Sequence, residues 1–184
     1  MNIIQTHLEG CIVINPRIFN DDRGYFFESF NEKRFFDAIG REIHFVQDNQ
    51  SFSTKGVLRG LHLQMGEHAQ TKLVRVTRGE VLDVAVDLRK ASPTYGQYHA
   101  VLLTETNNSQ FLIPRGFAHG FVVLSDEAVF QYKCDNYYNK ASEGGLYFAD
   151  PDINIDWQLP AADLLVSDKD KELPFLKDAV DFGF

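Results

Sequence analysis

Cysteine is scarce in this chain. Its 184 residues hold two, Cys11 and Cys134, with no Cys-x-x-Cys spacing. That excludes a disulfide scaffold or a zinc ribbon, and both read as free thiols in a reducing cytoplasm. Positive charge is in deficit: 18 Lys and Arg against 26 Asp and Glu give a net −8. The balance argues against non-specific nucleic-acid binding but leaves room for a small anionic ligand. Long apolar runs are missing, so no membrane span is expected. The opening MNIIQTHLEGCIVINPR has no basic segment ahead of an apolar one, so no signal peptide is expected. Repeats, low-complexity tracts and linkers are also lacking, and the length suits one domain, 1–184, with a good core. Aromatic residues are plentiful, with sixteen Phe and seven Tyr. They can fill a core or offer a platform to a base or sugar.

The stretch Val57–Arg75 organises the rest. It alternates as a strand, with Leu58, Gly60, His62 and Gln64 on one parity and Val57, Arg59, Leu61 and Leu63 on the other. A polar loop, Met65–Thr71, leads to a second alternating run, Lys72-Leu-Val-Arg-Val. The imidazole of His62, two guanidinium groups and an ammonium within nineteen residues fit a site for an anionic substrate that needs a base.

Before it, Cys11–Ile14 and Tyr25–Phe30 read as strands joined through an Asn20–Gly24 turn. Asn31–Ile43 reads as a helix capped by Asn31, with Phe35, Phe36 and Ile39 on one face and Gly40 able to end it. Gln47–Ser51 is a polar lead-in. After it, Glu80–Leu88 is the clearest strand, with one apolar face (Leu82, Val84, Val86, Leu88). Its other face, carrying Asp83 and Asp87, reads as solvent or a pocket wall. Strands follow at Tyr98–Leu103, Gln110–Ile113, Phe121–Leu124 and Ala128–Tyr132, with Pro114–Gly120 as a loop. Residues 150–157 read as extended, and Ser167 caps a short helix that Pro174 stops. Many short strands with Gly-containing turns indicate a mainly β sandwich or barrel.

His62 reads as a structural histidine, a general base or a metal ligand. An ordinary pKa near 6.5 suits a base at neutral pH. His62-Leu-Gln64 has the spacing of a His-x-His metal site, but Gln stands in the second place and is a poor transition-metal ligand, so no metal is expected. Arg23, Arg59, Lys72, Arg75 and Arg115 are candidates for anion binding, with Arg59 and Lys72 foremost because they flank the His62 strand. Tyr132, Tyr137 and Tyr138 can donate a proton, stack, or pack at a rim. His119 can donate a hydrogen bond to an oxyanion, and Asp83 can orient such a histidine.

Together, several blocks resemble the dTDP-4-dehydrorhamnose 3,5-epimerase family. They are Arg23-Gly-x-Phe-x-Glu28, Phe45-Val-Gln-Asp-Asn49, Val57-Leu-Arg-Gly-Leu-His62-Leu-Gln64, Lys72-Leu-Val-Arg75 and Gly79-Glu-Val-x-Asp-Val-Ala-Val-Asp-Leu-Arg89. Ser92-Pro-Thr-x-Gly96, Ile113-Pro-x-Gly-Phe-Ala-His-Gly-Phe121 and Tyr132-Lys-x-x-x-Tyr-Tyr138 complete the set, which covers about residues 10–170.

The resemblance implies a cupin-type jelly roll, a homodimer, and an enzyme of dTDP-L-rhamnose synthesis without metal or other cofactor. It matches His62 to the catalytic base, Tyr132 to the acid, and Asp170 to the carboxylate paired with that histidine, Asp168 being the alternative. Lys72 joins the catalytic set. Arg23, Phe26, Glu28, Gln47, Asp48, Asn49, Arg59, Lys72, His119, Glu143 and Lys169 match substrate positions, and Tyr138 the ring that stacks on thymine. The implied substrate is a dTDP-4-keto-6-deoxy sugar. Rivals are an epimerase acting at C3 or C5 alone, a non-enzymatic cupin that binds a nucleotide or sugar, and a metal-dependent cupin.

Overall fold

The computed structural model describes residues 1–184. In chain order its strands begin with β1 (Asn2–Gln5), β2 (Ile12–Asn15), β3 (Phe19–Asp21) and β4 (Gly24–Phe26), followed by helix α1 (Glu32–Ile39). The centre is β5 (Gln47–Thr54), β6 (Val57–Gln64), β7 (Lys72–Arg78), β8 (Glu80–Asp87), β9 (Tyr98–Thr104), β10 (Gln110–Ile113), β11 (Phe117–Val123) and β12 (Glu127–Cys134). Short β13 (Glu143–Gly145), β14 (Leu165–Val166) and helix α2 (Asp168–Lys171) finish the chain.

Two sheets face each other in a jelly roll. The first runs β1-β2-β10-β7-β12-β5 and the second β13-β6-β11-β8-β9, with β14 parallel on β6 and β3–β4 as a separate hairpin. Val74, Val76, Val81, Ala85, Phe121, Val123 and Phe130 fill the space between them. The outer face of the second sheet is buried too. Leu58, Leu61, Leu63, Leu82, Val84 and Val86 pack under Leu146, Ile153, Trp157 and Phe182 of the C-terminal segment. So the apolar face of β8 points away from the centre, and the face bearing Asp83, expected as solvent or pocket wall, lies in the sealed interior.

Helix α1 covers the outer face of the first sheet, seating Phe35 on Ile12, Ile14, Leu73 and Leu112. Asn31 Oδ1 accepts from Arg34 N at 3.1 Å, and Gly40, at φ 72°, ends the helix as its residue type allows, leaving residues 41–43 beyond it. Burying a Phe of this kind contributes roughly 1.5–3 kcal/mol.

Three further expectations are corrected. The Tyr25–Phe30 strand is only the second arm of the β3–β4 hairpin. Residues 150–157 begin with a turn braced by Asp150, whose Oδ1 accepts from Asp152 N at 2.8 Å. Pro114–Gly120 is a loop only to Gly116; from Phe117 the chain is strand β11, paired with both β6 and β8. Within β6 the alternation also breaks. His119 lies opposite His62 and Phe121 opposite Arg59, so β6 carries one extra residue, a β-bulge, at Gly60–Leu61. The extra residue turns Arg59 and His62 to the same side, against the simple parity.

Candidate active site

The bulge needs glycine twice. At Gly60, φ is +138° and a Cβ would sit 2.6 Å from Gly120 Cα; at Gly120 a Cβ would sit 2.7 Å from the Arg59 carbonyl oxygen. The two strands therefore touch backbone to backbone. The freed Gly60 N–H donates to Asp170 Oδ2 at 3.2 Å. The other oxygen, Oδ1, lies 2.7 Å from His62 Nε2. Asp170 reaches this point because Ser167 caps α2, its Oγ accepting from Asp170 N at 3.2 Å. Asp168, the alternative partner, is exposed and pairs with Lys171.

Asp170 is 4% exposed. Burial pushes its carboxyl up, but the hydrogen bond and charge of His62 and the Gly60 N–H outweigh it and hold it below the ordinary carboxylate value. An anion behind the ring fixes the tautomer and orientation of His62.

Tyr132 stands on β12 of the opposite sheet, so imidazole and phenol approach the cavity from facing walls. Burial raises the phenol above its ordinary value, and it keeps its proton at neutral pH. Lys72 (β7) and His119 (β11) line the same space, a cavity of about 540 Å³ that also takes in Asn49, Arg59, Lys169 and Asp170. A neighbouring lobe of about 310 Å³ shares Asn49, His62, Lys72 and Tyr132 and adds Gln47, Tyr138 and Glu143. Burial lowers both Lys72 and His119. His119 Nε2 bonds Asp83 Oδ2 at 2.9 Å, the pairing expected from the β8 pattern. Glu143 and Lys169 are joined by an ion pair at the mouth, where Tyr138 is exposed.

Four of the residues given a role by the resemblance lie outside this space, as do the anion-binding candidates Arg75, which packs over Phe27, and Arg115, which pairs with Asp135. Arg23 is ion-paired with Asp21 at the tip of the β3–β4 hairpin, and Phe26 is 68% exposed on its second arm. Glu28 is bound to Asn31 and Arg34. Asp48 points to the outer face of β5, where Lys133 Nζ donates to it at 2.9 Å. The remaining eleven line the two lobes.

The sequence reading missed supports rather than contacts. Ser53 accepts from Arg59 Nε at 3.1 Å and aims that guanidinium along the cavity. Gln64, weighed as a metal position, is a strut whose Oε1 accepts from Asn139 N at 2.8 Å. No pattern signals either one, because both bonds join segments distant in sequence or a serine that looks like any other.

A base held by a buried carboxylate, a protonated phenol opposite it and a cation between them suit proton transfer at carbon beside a carbonyl. The family model for dTDP-4-dehydrorhamnose 3,5-epimerase matches residues 5–178. The chain belongs to the dTDP-4-dehydrorhamnose 3,5-epimerase family. Another 3,5-epimerase, from Shigella flexneri, is 55% identical over 170 residues, covering 92% of this chain and 93% of that one. The crystal structure of the 3,5-epimerase from Elizabethkingia anophelis NUHP1 superposes with a TM-score of 0.93 at 56% identity, covering 97% of each chain. An epimerase from Legionella pneumophila Philadelphia 1, in complex with dTDP-4-keto-L-rhamnose, superposes at 0.92 with 48% identity over 96% of this chain and 93% of that one. The jelly roll of this 3,5-epimerase family is thus the architecture that carries His62 and Tyr132 to facing walls.

Proposed function

We propose that this chain inverts C3 and C5 of dTDP-4-dehydro-6-deoxy-D-glucose, giving dTDP-4-dehydro-L-rhamnose in dTDP-L-rhamnose synthesis. C3 and C5 both lie α to the C4 carbonyl, and their protons become acidic only as negative charge on O4 is stabilised. Lys72, with His119 beside it, supplies that stabilisation. His62 takes the proton from one face, and Asp170 holds the resulting imidazolium. Tyr132 returns a proton to the other face. His62 then gives its proton to solvent and Tyr132 regains one, and the cycle repeats at the second carbon, with no redox step and no metal. Arg59, aimed by Ser53, takes the diphosphate, and Tyr138 stacks on thymine. The observation that carries this reading is the His62–Asp170 pair, 2.7 Å apart, on the sheet facing Tyr132. The relative that holds dTDP-4-keto-L-rhamnose supports the choice of substrate.

The working unit in this reading is a homodimer of single-domain chains in the cytoplasm. Arg23, Phe26 and Glu28 do not line the cavity of their own chain, and in this reading they act on the partner's site across the two-fold axis. Incubation with dTDP-4-keto-6-deoxyglucose in D2O, followed by NMR, tests the activity. Deuterium entering C3 and C5 with inversion supports it; label at one carbon alone makes the protein a mono-epimerase, and no label makes it a binder.

A further inference from the structure

Two charged atoms lack a direct partner, one on Lys72 in the cavity wall and one on Asp83 behind His119. Asp83 on β8 is fully buried; its Oδ2 meets His119, but its Oδ1 has no hydrogen bond. A bare, buried carboxylate oxygen is rare and costly unless something else compensates it. On β7 of the facing sheet, the Lys72 ammonium makes neither an ion pair nor a hydrogen bond, though it is buried deeply enough to be lowered. Burial raises the Asp83 carboxyl and lowers the Lys72 ammonium, and the charge of each works against the other's shift.

The other groups facing Lys72 offer it no free anion. Tyr132 and Cys134 on β12 keep their protons, the thiol being raised to about 11 by burial. His119 on β11 is driven by burial toward the neutral ring. His62 on β6 and Asp170 on α2 are spent on each other. That leaves Asp83.

We propose that Asp83 is a positioning residue for the reaction: its charge keeps Lys72 an ammonium in the cavity, while its bonded oxygen fixes the ring of His119. The inference rests on the epimerase reading above. Its consequence is that the end of the cavity that receives O4 is charged before the substrate arrives. The cation that stabilises the enolate does not have to be recruited during the reaction.

Asp83→Asn tests it. Asn keeps an acceptor for His119 Nε2–H and nearly the same volume, and removes only the charge. Thymidine diphosphate affinity should stay within about twofold of wild type, while deuterium exchange at C3 and C5 falls about 10–10²-fold. The alkaline limb of the exchange profile should move to lower pH, because Lys72 then loses its proton earlier. In a Lys72→Ala background the same substitution should cost almost nothing further. An unchanged exchange rate and alkaline limb overturn the proposal, as does an equal penalty in the Lys72→Ala background. If Asp83→Asn does not fold, carbon-13 NMR of the wild-type carboxyl groups decides: Asp83 must be ionised at neutral pH, and a protonated Asp83 overturns the idea. Absence of turnover in wild type would sink the epimerase reading instead; only the contrast between wild type and variant bears on Asp83.

Discussion

Asp170 Oδ1 lies 2.7 Å from His62 Nε2 across 108 residues of sequence. The pair predicts a sharp difference between two neighbouring carboxylates. In Asp170→Asn the side-chain amide can donate where the carboxylate accepted, which favours the wrong tautomer of His62. Exchange at C3 and C5 should fall about 10²–10⁴-fold, while thymidine diphosphate still binds. Asp168→Asn, on an exposed side chain, should exchange at the wild-type rate. Equal behaviour of the two variants contradicts the assignment.

Asp87 governs acid stability. It is fully buried and accepts from Arg89 Nε at 2.9 Å, Ser92 Oγ at 2.6 Å and Thr94 Oγ1 at 2.7 Å. Burial pushes the carboxyl up, but these donors prevail and hold it at about 2, against an ordinary 3.8. A folded-state value below the unfolded one gives stability that is complete above the unfolded value and is lost as pH falls through the folded one. The difference corresponds to about 2 kcal/mol. Tm measured against pH should therefore separate wild type from Asp87→Asn at neutral pH, and the gap should close between pH 3.8 and about 2. A gap that stays constant down to acid pH contradicts this.

Much of this was legible in the sequence. The caps of α1, Asn31 and Gly40, stand where residue type put them, because a side-chain acceptor and a left-handed residue are local requirements. His62, Lys72 and Tyr132 stood out as chemistry on alternating strands. Strand β5 was not legible, since its inner residues line a wet cavity and outer ones such as Asp48 face away from the core, leaving no apolar alternation to read. Strand β11 was hidden by the Pro and Gly of 114–120. Gly120 does not break the strand; it lets β6 pass close by. The turn of Arg59 and His62 to one side depends on a bulge opposite a distant strand, and periodicity carries no trace of it.

Activity should survive thorough chelation. The position that would complete a His-x-His pair is Gln64, and its carbonyl oxygen is occupied by the Asn139 N–H at 2.8 Å. Turnover measured after dialysis against a strong chelator should match the untreated enzyme. Loss of activity restored by Zn, Fe or Mn contradicts the account.

Sharing of sites across a dimer can be tested by complementation. Arg23→Ala removes a residue given to the partner, and His62→Ala removes one used at home. Each homodimer should be nearly inactive. Refolding the two together should restore activity, because each mixed dimer carries one site with both residues intact. No recovery on mixing, or full activity in a monomer, would refute the exchange.

The central claim is that two proton carriers work on opposite faces, and Tyr132→Phe in D2O tests it most directly. Phe keeps the packing of the ring and deletes the phenolic proton. His62 can still form the enolate and return deuterium to the face it came from. The account predicts deuterium at C3 and C5 with retained configuration, while net inversion drops about 10²–10⁴-fold. Inversion of both carbons at near wild-type rate would contradict it and pass the acid's role to another group, with Tyr138 the first to examine.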